Sequence, residues 1–244
     1  MKTYRADLHV HTVLSPCAGV EMIPPLIVEE ALERGIQVIA ITDHNASANV
    51  AAVQQAARST ELIVLPGMEL QTREEVHVLC LFDSLEQLLA LQQWVDLHLP
   101  PVANNPNFFG EQFIVDATGD FLARDERLLL NSVDATLAQA WAQVNHLGGL
   151  FIPAHVNRTA FGLIGVLGLL PADFPIEALE ISRHLSVEET RRKVPQVAGY
   201  PLIQNGDVHY LDDYLGATTW TLEKPSIAEL RLALQMQAGR SFKL

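Results

Sequence analysis

The stretch that decides the fold reads G-I-Q-V-I-A-I-T-D-H-N and runs from Gly35 to Asn45. Gly35 is a natural stop for the preceding helix. An apolar run at Val38–Ile41 follows, and a polar group at Thr42–Asn45 comes directly after it. Continuous apolar runs are typical of strands in a parallel sheet that is covered on both faces. The stretch therefore predicts a buried strand that ends in an aspartate and a histidine.

The same order of a short apolar run and then a helix extends over most of the chain. Strands are predicted at Arg5–His9, Val38–Ile41, Leu62–Pro66, Val76–Phe82, Leu150–Ala154, Ala178–Ile181, Pro201–Asn205 and Ala217–Thr221. Helices are predicted at Pro24–Arg34, Ala46–Arg58, Ser84–Leu97, Asp134–Leu147, Ser186–Val194 and Ser226–Ala238. This alternation favours a β/α barrel or an open, doubly wound sheet.

Residues 100–130 interrupt the alternation with P-P, N-N-P-N and F-F-G segments and mixed charge. We interpret this segment as an insertion on the rim of the sheet, with a small hairpin. A loop of this length is usually a lid or a specificity element. A poorly ordered surface excursion is the alternative.

Composition limits the class of protein. The 244 residues are 49% hydrophobic, which suits one folded domain over residues 1–244. The formal net charge of −13 weighs against binding long nucleic acid, although a small anionic substrate remains compatible with it. With two cysteines, no secretory signal and no window approaching the roughly 20 apolar residues of a membrane span, we expect a cytoplasmic protein without membrane contact. The oligomeric state stays open.

Metal-binding side chains stand near one end of six predicted strands, and for five of these strands it is the carboxyl end. The groups are D-L-H-V-H-T (Asp7–Thr12), T-D-H-N (Thr42–Asn45), G-M-E (Gly67–Glu69), His77, P-A-H-V (Pro153–Val156) and N-G-D-V-H (Asn205–His209). A lone histidine beside a strand is more often a core residue, but six such groups are improbable by chance. The carboxyl ends of parallel strands face one cavity, so these side chains should converge.

Imidazoles mixed with carboxylates suit Zn, Mn or Fe, and the set is large enough for two or three divalent ions. The candidate ligands are His9, His11, Cys17, Asp43, His44, Glu69, His77, His155, Asp207 and His209. A carboxylate such as Glu69 can bridge two ions. Centres of this kind activate water and neutralise a phosphoryl group during its transfer.

These motifs, in this order, resemble the PHP (polymerase and histidinol phosphatase) family from Asp7 to about Thr221. The resemblance implies a distorted (β/α)7 barrel that binds two or three metals and hydrolyses phosphate esters. It places His9, His11, Glu69 and Asp207 on a first metal, and Glu69, His77 and His155 on a second. His44 and His209 would hold a third.

Two positions leave their roles open. Many members of the family have a histidine where this chain has Cys17, in L-S-P-C-A-G. A thiolate can also bind Zn or Fe, so three metals remain possible. Asp43 could be a ligand, a proton donor, or a partner that orients a histidine.

Cationic side chains near the same strand ends are candidates for catalysis. Arg158 follows His155, and Arg183 and His184 follow the predicted strand Ala178–Ile181. Arginine binds phosphoryl oxygens through paired donors, although a salt bridge on the rim is the alternative for each. In the predicted mechanism a metal-bound hydroxide attacks a small phosphorylated substrate, and Asp43, His184 or a water protonates the leaving group.

Three other functions remain as alternatives. The PHP family includes exonuclease domains, which makes a phosphodiesterase on short oligonucleotides the first alternative, but the sequence has no basic or aromatic stripe to support it. Amidohydrolases with similar centres commonly use a lysine as a bridging ligand, and none of the four lysines ends a predicted core strand. A non-catalytic metal-binding or regulatory module is disfavoured because the set of ligands is nearly complete.

Overall fold

Strands and helices alternate over residues 1–171 and 175–244, which the computed structural model describes. In these residues the strands are β1 (Lys2–Val10), β2 (Val38–Ile41), β3 (Ile63–Gln71), β4 (His77–Leu81), β5 (Phe113–Val115), β6 (Phe121–Arg124), β7 (Leu150–Pro153), β8 (Leu179–Ile181), β9 (Leu202–Gln204), β10 (Thr218–Leu222) and β11 (Ser241–Lys243). The α-helices are α1 (Pro24–Glu33), α2 (Val50–Ala57), α3 (Leu85–His98), α4 (Pro106–Phe109), α5 (Leu137–His146), α6 (Leu163–Leu167), α7 (Val187–Lys193) and α8 (Ile227–Leu234).

The main sheet runs in the order β11-β10-β1-β2-β3-β4-β7, and β8 and β9 form a separate parallel pair. Backbone hydrogen bonds join this pair to β7, at one end of the curved sheet, and to β1, which lies between β10 and β2. Val156 N, after β7, donates to Glu180 O on β8, and Val208 N, after β9, donates to His9 O on β1. Seven strands (β1, β2, β3, β4, β7, β8 and β9) therefore surround one core, which confirms the predicted distorted barrel.

The predicted parallel direction is wrong for β4, which runs antiparallel to both β3 and β7. The connection from β3 to β4 is a short turn in which Thr72 N donates to Val76 O. A parallel connection would need a crossover of a dozen or more residues. Because β4 is reversed, its first residue, His77, pairs with Gln71 at the carboxyl end of β3. This direction explains why His77 lies at the start of its strand, whereas His9 and Glu69 lie near the carboxyl ends of theirs.

Two apolar clusters divide the core according to the period-two alternation of strands. Ile39 and Ile41 of β2 belong to the cluster that packs under α1, α2, α3 and α5. Val38 and Ala40 belong to a second cluster, together with residues of α8. No helix in the described part of the chain combines the length and apolar character that crossing a membrane requires.

The interruption at residues 100–130 contains the predicted small hairpin, formed by β5 and β6. Asn49 fixes it, because its amide donates to Phe113 O at 2.9 Å and accepts from Val115 N at 3.0 Å. Asn45 donates to Leu129 O and to Asn131 O at 2.8 Å each. These asparagine side chains belong to the loop before α2, which begins at Val50 rather than at the predicted Ala46.

Candidate metal centre

The carboxylate of Glu69 lies at the centre of a group of buried histidines contributed by different strand ends. It is 1% exposed. The distances from its carboxylate oxygens are 2.9 Å to His77 Nδ1, 3.0 Å to His44 Nδ1, 3.1 Å to His155 Nε2, 3.3 Å to His9 Nε2 and 3.4 Å to His11 Nε2. The structure therefore brings together side chains that are up to 146 positions apart, between His9 and His155.

A second carboxylate, Asp207, lies on the open side of the same group. Asp207 Oδ1 is 3.3 Å from His9 Nε2, 3.6 Å from His11 Nε2 and 3.4 Å from His209 Nδ1. Asp207 and His155 both have positive φ angles, of 52° and 31°, which are uncommon for residues other than glycine. Strained backbone of this kind clusters at functional sites, where the surrounding structure holds it in place.

Buried ligand atoms without hydrogen-bond partners show that the group fits metal ions. His9 Nε2, His11 Nε2, His44 Nδ1 and Glu69 Oε2 are buried. The three histidine nitrogens lie within 3.4 Å of the Glu69 carboxylate, but none of the four atoms makes a contact with hydrogen-bond geometry within the described residues. Leaving buried polar atoms unpaired is costly, so their convergence needs a further partner. Three overlapping triads have ligand atoms within 4.8 Å of one another: His9, His11 and Glu69; His44, Glu69 and His77; and His11, His44 and His209.

Glu180 on β8 orients two of the histidines, and the sequence analysis missed it. His9 Nδ1 lies 3.1 Å from each of its carboxylate oxygens, and His155 N donates to it at 2.9 Å. Asn205 Nδ2 donates to it at 2.7 Å. A proton on His9 Nδ1 leaves Nε2 free to bind a cation, as second partners of metal-binding histidines do. An acidic residue inside the apolar run A-L-E-I was the signal for this role.

Asp43 does not reach the group of ligands, and its contacts favour the orienting role among the three alternatives. Thr12 N and Ser15 Oγ each donate to Asp43 Oδ1 at 2.7 Å, and Thr12 Oγ1 donates to Oδ2 at 2.8 Å. Ser15 Oγ gives its proton to Asp43, so it accepts from His11 Nδ1 at 2.9 Å. This chain of bonds leaves His11 Nε2 free for a ligand.

Because these ionisable groups lie close together and are buried, the histidines differ in pKa. Burial alone would raise the pKa of Glu69, but His77, His9 and His44 outweigh it and hold that pKa well below its usual range. Burial opposes protonation of His9, yet the carboxylates of Glu180, Glu69 and Asp207 raise its pKa well above the ordinary value. Burial lowers the pKa of His77 to about 4. Glu69 therefore stays ionised, while His9 takes up a proton more readily than His77 does.

Cys17 lies at the mouth of the group, where the residue is in contact with solvent although neighbouring atoms surround much of its sulfur. Burial of the sulfur opposes ionisation, but interactions with His44 and His209 outweigh it and lower the pKa of the Cys17 thiol to about 6. Cys17 lines one cavity together with His44 and His209. The structure therefore places a thiol that ionises readily beside the third triad.

The two candidate arginines line a polar cavity that adjoins the ligands, and each pairs with a carboxylate. Arg158 Nη1 donates to Asp207 Oδ2 at 2.9 Å. Arg183 Nη1 lies 2.7 Å from Asp213 Oδ1 and also donates to Gly206 O. His184 lines the same cavity. Salt bridges, the alternative interpretation, are present for both arginines, and both guanidinium groups remain within reach of a ligand in this cavity.

Comparison with known proteins is consistent with this geometry. A family model described as the PHP domain matches residues 7–146. Comparison with curated proteins gave no match. Among solved structures, the lesion-specific endonuclease PfuEndoQ from Pyrococcus furiosus is similar, with a TM-score of 0.74 and 18% identity over 100% of this chain. A complex of endonuclease Q with a 27-mer duplex that has an abasic lesion at the active site gives 0.72 and 17% identity over 98% of this chain.

A protein assigned as a metal-dependent phosphoesterase from Bifidobacterium adolescentis is also similar, with a TM-score of 0.55 and 18% identity. This match covers 84% of the present chain and 87% of the other. By contrast, the present chain spans 58% of the length of each endonuclease chain. At these low identities, the structural similarity establishes a shared fold.

Proposed function

Since the chain belongs to the PHP family, we propose that it hydrolyses phosphate esters of small molecules at a centre of two or three divalent cations. The observation that carries this proposal is the convergence of three buried, unpaired histidine nitrogens on Glu69, whose own Oε2 is also unpaired. Cations bound there would activate water and neutralise charge on a phosphoryl group. Zn, Mn or Fe suits the mixture of imidazoles and carboxylates.

The proposed ligands form three sets, and Glu69 belongs to the first two. His9, His11, Glu69 and Asp207 would hold one cation, and Glu69, His77 and His155 a second. His44 and His209 would hold a third, with the Cys17 thiolate in place of the histidine that is usual in the family. The triad of His44, Glu69 and His77 supports a position for His44 close to the second cation as well.

The cationic residues of the adjoining cavity are proposed to bind the substrate. Arg158 lies 2.9 Å from Asp207 and 44% of its side chain is exposed, so its remaining donors can reach phosphoryl oxygens beside the ligands. Arg183 lines the same cavity, where its pair with Asp213 holds its guanidinium group in position. His184 is the candidate for protonating the leaving group, because Asp43 is fully engaged by Thr12 and Ser15.

Metal analysis combined with a panel of phosphate esters tests this function. We expect two or three equivalents of metal per chain and hydrolysis of at least one phosphomonoester. Asp207→Ala should abolish hydrolysis while preserving the circular dichroism spectrum. Asp212→Ala is the control: this side chain is fully exposed to solvent, so the variant should retain hydrolysis. Full activity in Asp207→Ala would show that catalysis occurs elsewhere.

A phosphodiesterase acting on nucleic acid is the second candidate. It is favoured by the likeness to the endonuclease Q structures, one of which contains a DNA duplex. The net charge of −13 opposes it, because a polyanion would be repelled except near the cations. Cleavage of an oligonucleotide with a higher kcat/KM than that for any phosphomonoester would favour this candidate over the first.

A further inference from the structure

The space next to the ligands has two sides of different chemistry. One side is polar and is lined by Arg158, Arg183 and His184 among others. The other is lined by Leu130 of the insertion and by Phe161, beside the candidate ligands. Both sides share His155, Arg158 and Asp207. If the phosphoryl group of a substrate binds at these shared residues, the esterified alcohol of the same substrate would extend into one of the two sides.

Phe161 presents an aromatic ring to this space in an unusual backbone conformation. Its ring lies parallel to that of His77, with 4.6 Å between centroids and 15° between planes, and 36% of the residue stays exposed. Its φ angle is +60°, a genuine outlier for a bulky side chain. His77 N donates to Phe161 O at 2.9 Å, which fixes the residue against a candidate ligand. Strain retained in an exposed aromatic residue points to a role in binding.

The loop that carries Phe161 is built to hold it beside the arginine. A Cβ atom at Gly162 would come 2.4 Å from Arg158 O, and one at Gly165 would come 2.2 Å from the same oxygen. Only glycine permits this close approach, so the loop folds back tightly on itself. His155, Arg158 and Phe161 are thus presented by one compact loop, as a ligand, a cation and a ring.

We propose that Phe161 and Leu130 bind a planar ring in the alcohol part of the substrate, which makes nucleoside monophosphates better substrates than sugar phosphates. This inference rests on the proposed phosphoesterase function. A nucleobase can stack on an aromatic face or an apolar side chain without losing hydrogen bonds to water at its edges. A sugar in the same place would lose water from its hydroxyl groups against Leu130 and Phe161, which offer no hydrogen bonds in return.

Equilibrium binding and hydrolysis of adenosine 5′-monophosphate and ribose 5-phosphate test the proposal. Calorimetry on metal-depleted protein measures affinity without turnover, and kcat/KM on metal-loaded protein measures discrimination. Phe161→Ala should weaken binding of adenosine 5′-monophosphate about tenfold, or ~1.4 kcal/mol, and leave ribose 5-phosphate within about twofold. Phe161→Leu, which keeps bulk without a ring, should lose part of the preference, and Phe161→Tyr should keep it.

Phe121→Ala is the matched control, because Phe121 is an exposed phenylalanine of the insertion that does not line this space. An equal loss for both ligands in Phe161→Ala and Phe161→Leu would overturn the proposal, since it would show that Phe161 acts only by supporting His77. Equal affinity of the wild type for both ligands would also overturn it. A preference in binding without hydrolysis of any ester would instead refute the proposed function and leave the ring site standing.

Discussion

Replacing Glu180 with glutamine tests whether a buried carboxylate outside the proposed ligand set controls the affinity for metal. Three N–H donors point to this carboxylate: His9 Nδ1 at 3.1 Å, His155 N at 2.9 Å and Asn205 Nδ2 at 2.7 Å. A glutamine offers one accepting oxygen and one NH₂ group. At least one donor would then face another donor, and His9 would lose the negative charge that keeps its proton on Nδ1.

The size of the effect follows from these contacts. Loss of a partner that orients a metal-binding histidine typically costs about 10- to 100-fold in metal affinity, or ~1.4 to ~2.8 kcal/mol. One buried donor left unpaired lowers the free energy of unfolding by about 1–3 kcal/mol. Because Glu180 is 2% exposed, water has little access to replace the missing acceptor. Glu180→Gln should therefore fold, with weaker Zn²⁺ binding and a lower midpoint of thermal unfolding.

Titration of metal-depleted protein with Zn²⁺ in competition with a chromogenic chelator measures this affinity. Glu177→Gln is the control, because Glu177 lies three positions before Glu180 and pairs with Arg231 at a partly exposed site. That variant should bind Zn²⁺ within about twofold of the wild type, as expected for loss of a partly exposed ion pair. Wild-type Zn²⁺ affinity in a folded Glu180→Gln protein would refute the argument that Glu180 sets the orientation of His9.

Three further outcomes are expected. The rate of alkylation of Cys17 by iodoacetamide in metal-depleted protein should have its midpoint near pH 6, because the thiolate is present above that pKa, and bound Zn²⁺ should slow the reaction. Cys80, whose pKa is raised by burial, should not react. A midpoint above pH 8 for Cys17 would contradict the lowered pKa of its thiol. Metal affinity should fall as the pH is lowered, because His9, with its raised pKa, must lose a proton to bind; Zn²⁺ titrations from pH 8 to pH 5 check this, and a flat profile would count against His9 as a ligand. Gly162→Ala should lower the free energy of unfolding by about 1–3 kcal/mol and reduce turnover, because the Cβ of the alanine would lie 2.4 Å from Arg158 O. An unchanged midpoint of thermal unfolding would show that the loop can relax to accommodate the Cβ.

The fold was predictable where local sequence determines it. Apolar runs located the barrel strands, and Ser84 with Gln87 forms the capping box that begins α3. The direction of β4 was not predictable from its apolar composition, since strands buried on both faces have the same composition in either direction. The decisive feature was the short connection at Thr72–Val76, which excludes a crossover.

Within the candidate site, the convergence of side chains was predictable and their orientation was not. The motifs located the histidines and carboxylates that now surround Glu69, because strand ends on one rim must meet. Asp43 stands next to His44 in the same motif, yet its carboxylate bonds to Thr12 and Ser15. Only the path of the loop after β1 decides this. Glu180 could not be recognised from the sequence because it lies inside an apolar strand, where we expected only packing residues.

The bridge between the segment after β9 and β1 has a consequence for assembly of the molecule. Val10 pairs with Val208, so the ring of strands closes only when late and early parts of the chain dock. His9 and Asp207 flank this seam, 198 positions apart. A cation held by both residues would link the two segments across this seam. By mass action it would raise the free energy of unfolding in proportion to the logarithm of its free concentration. Fragments ending before residue 200 would lack Asp207 and should not retain metal at this position.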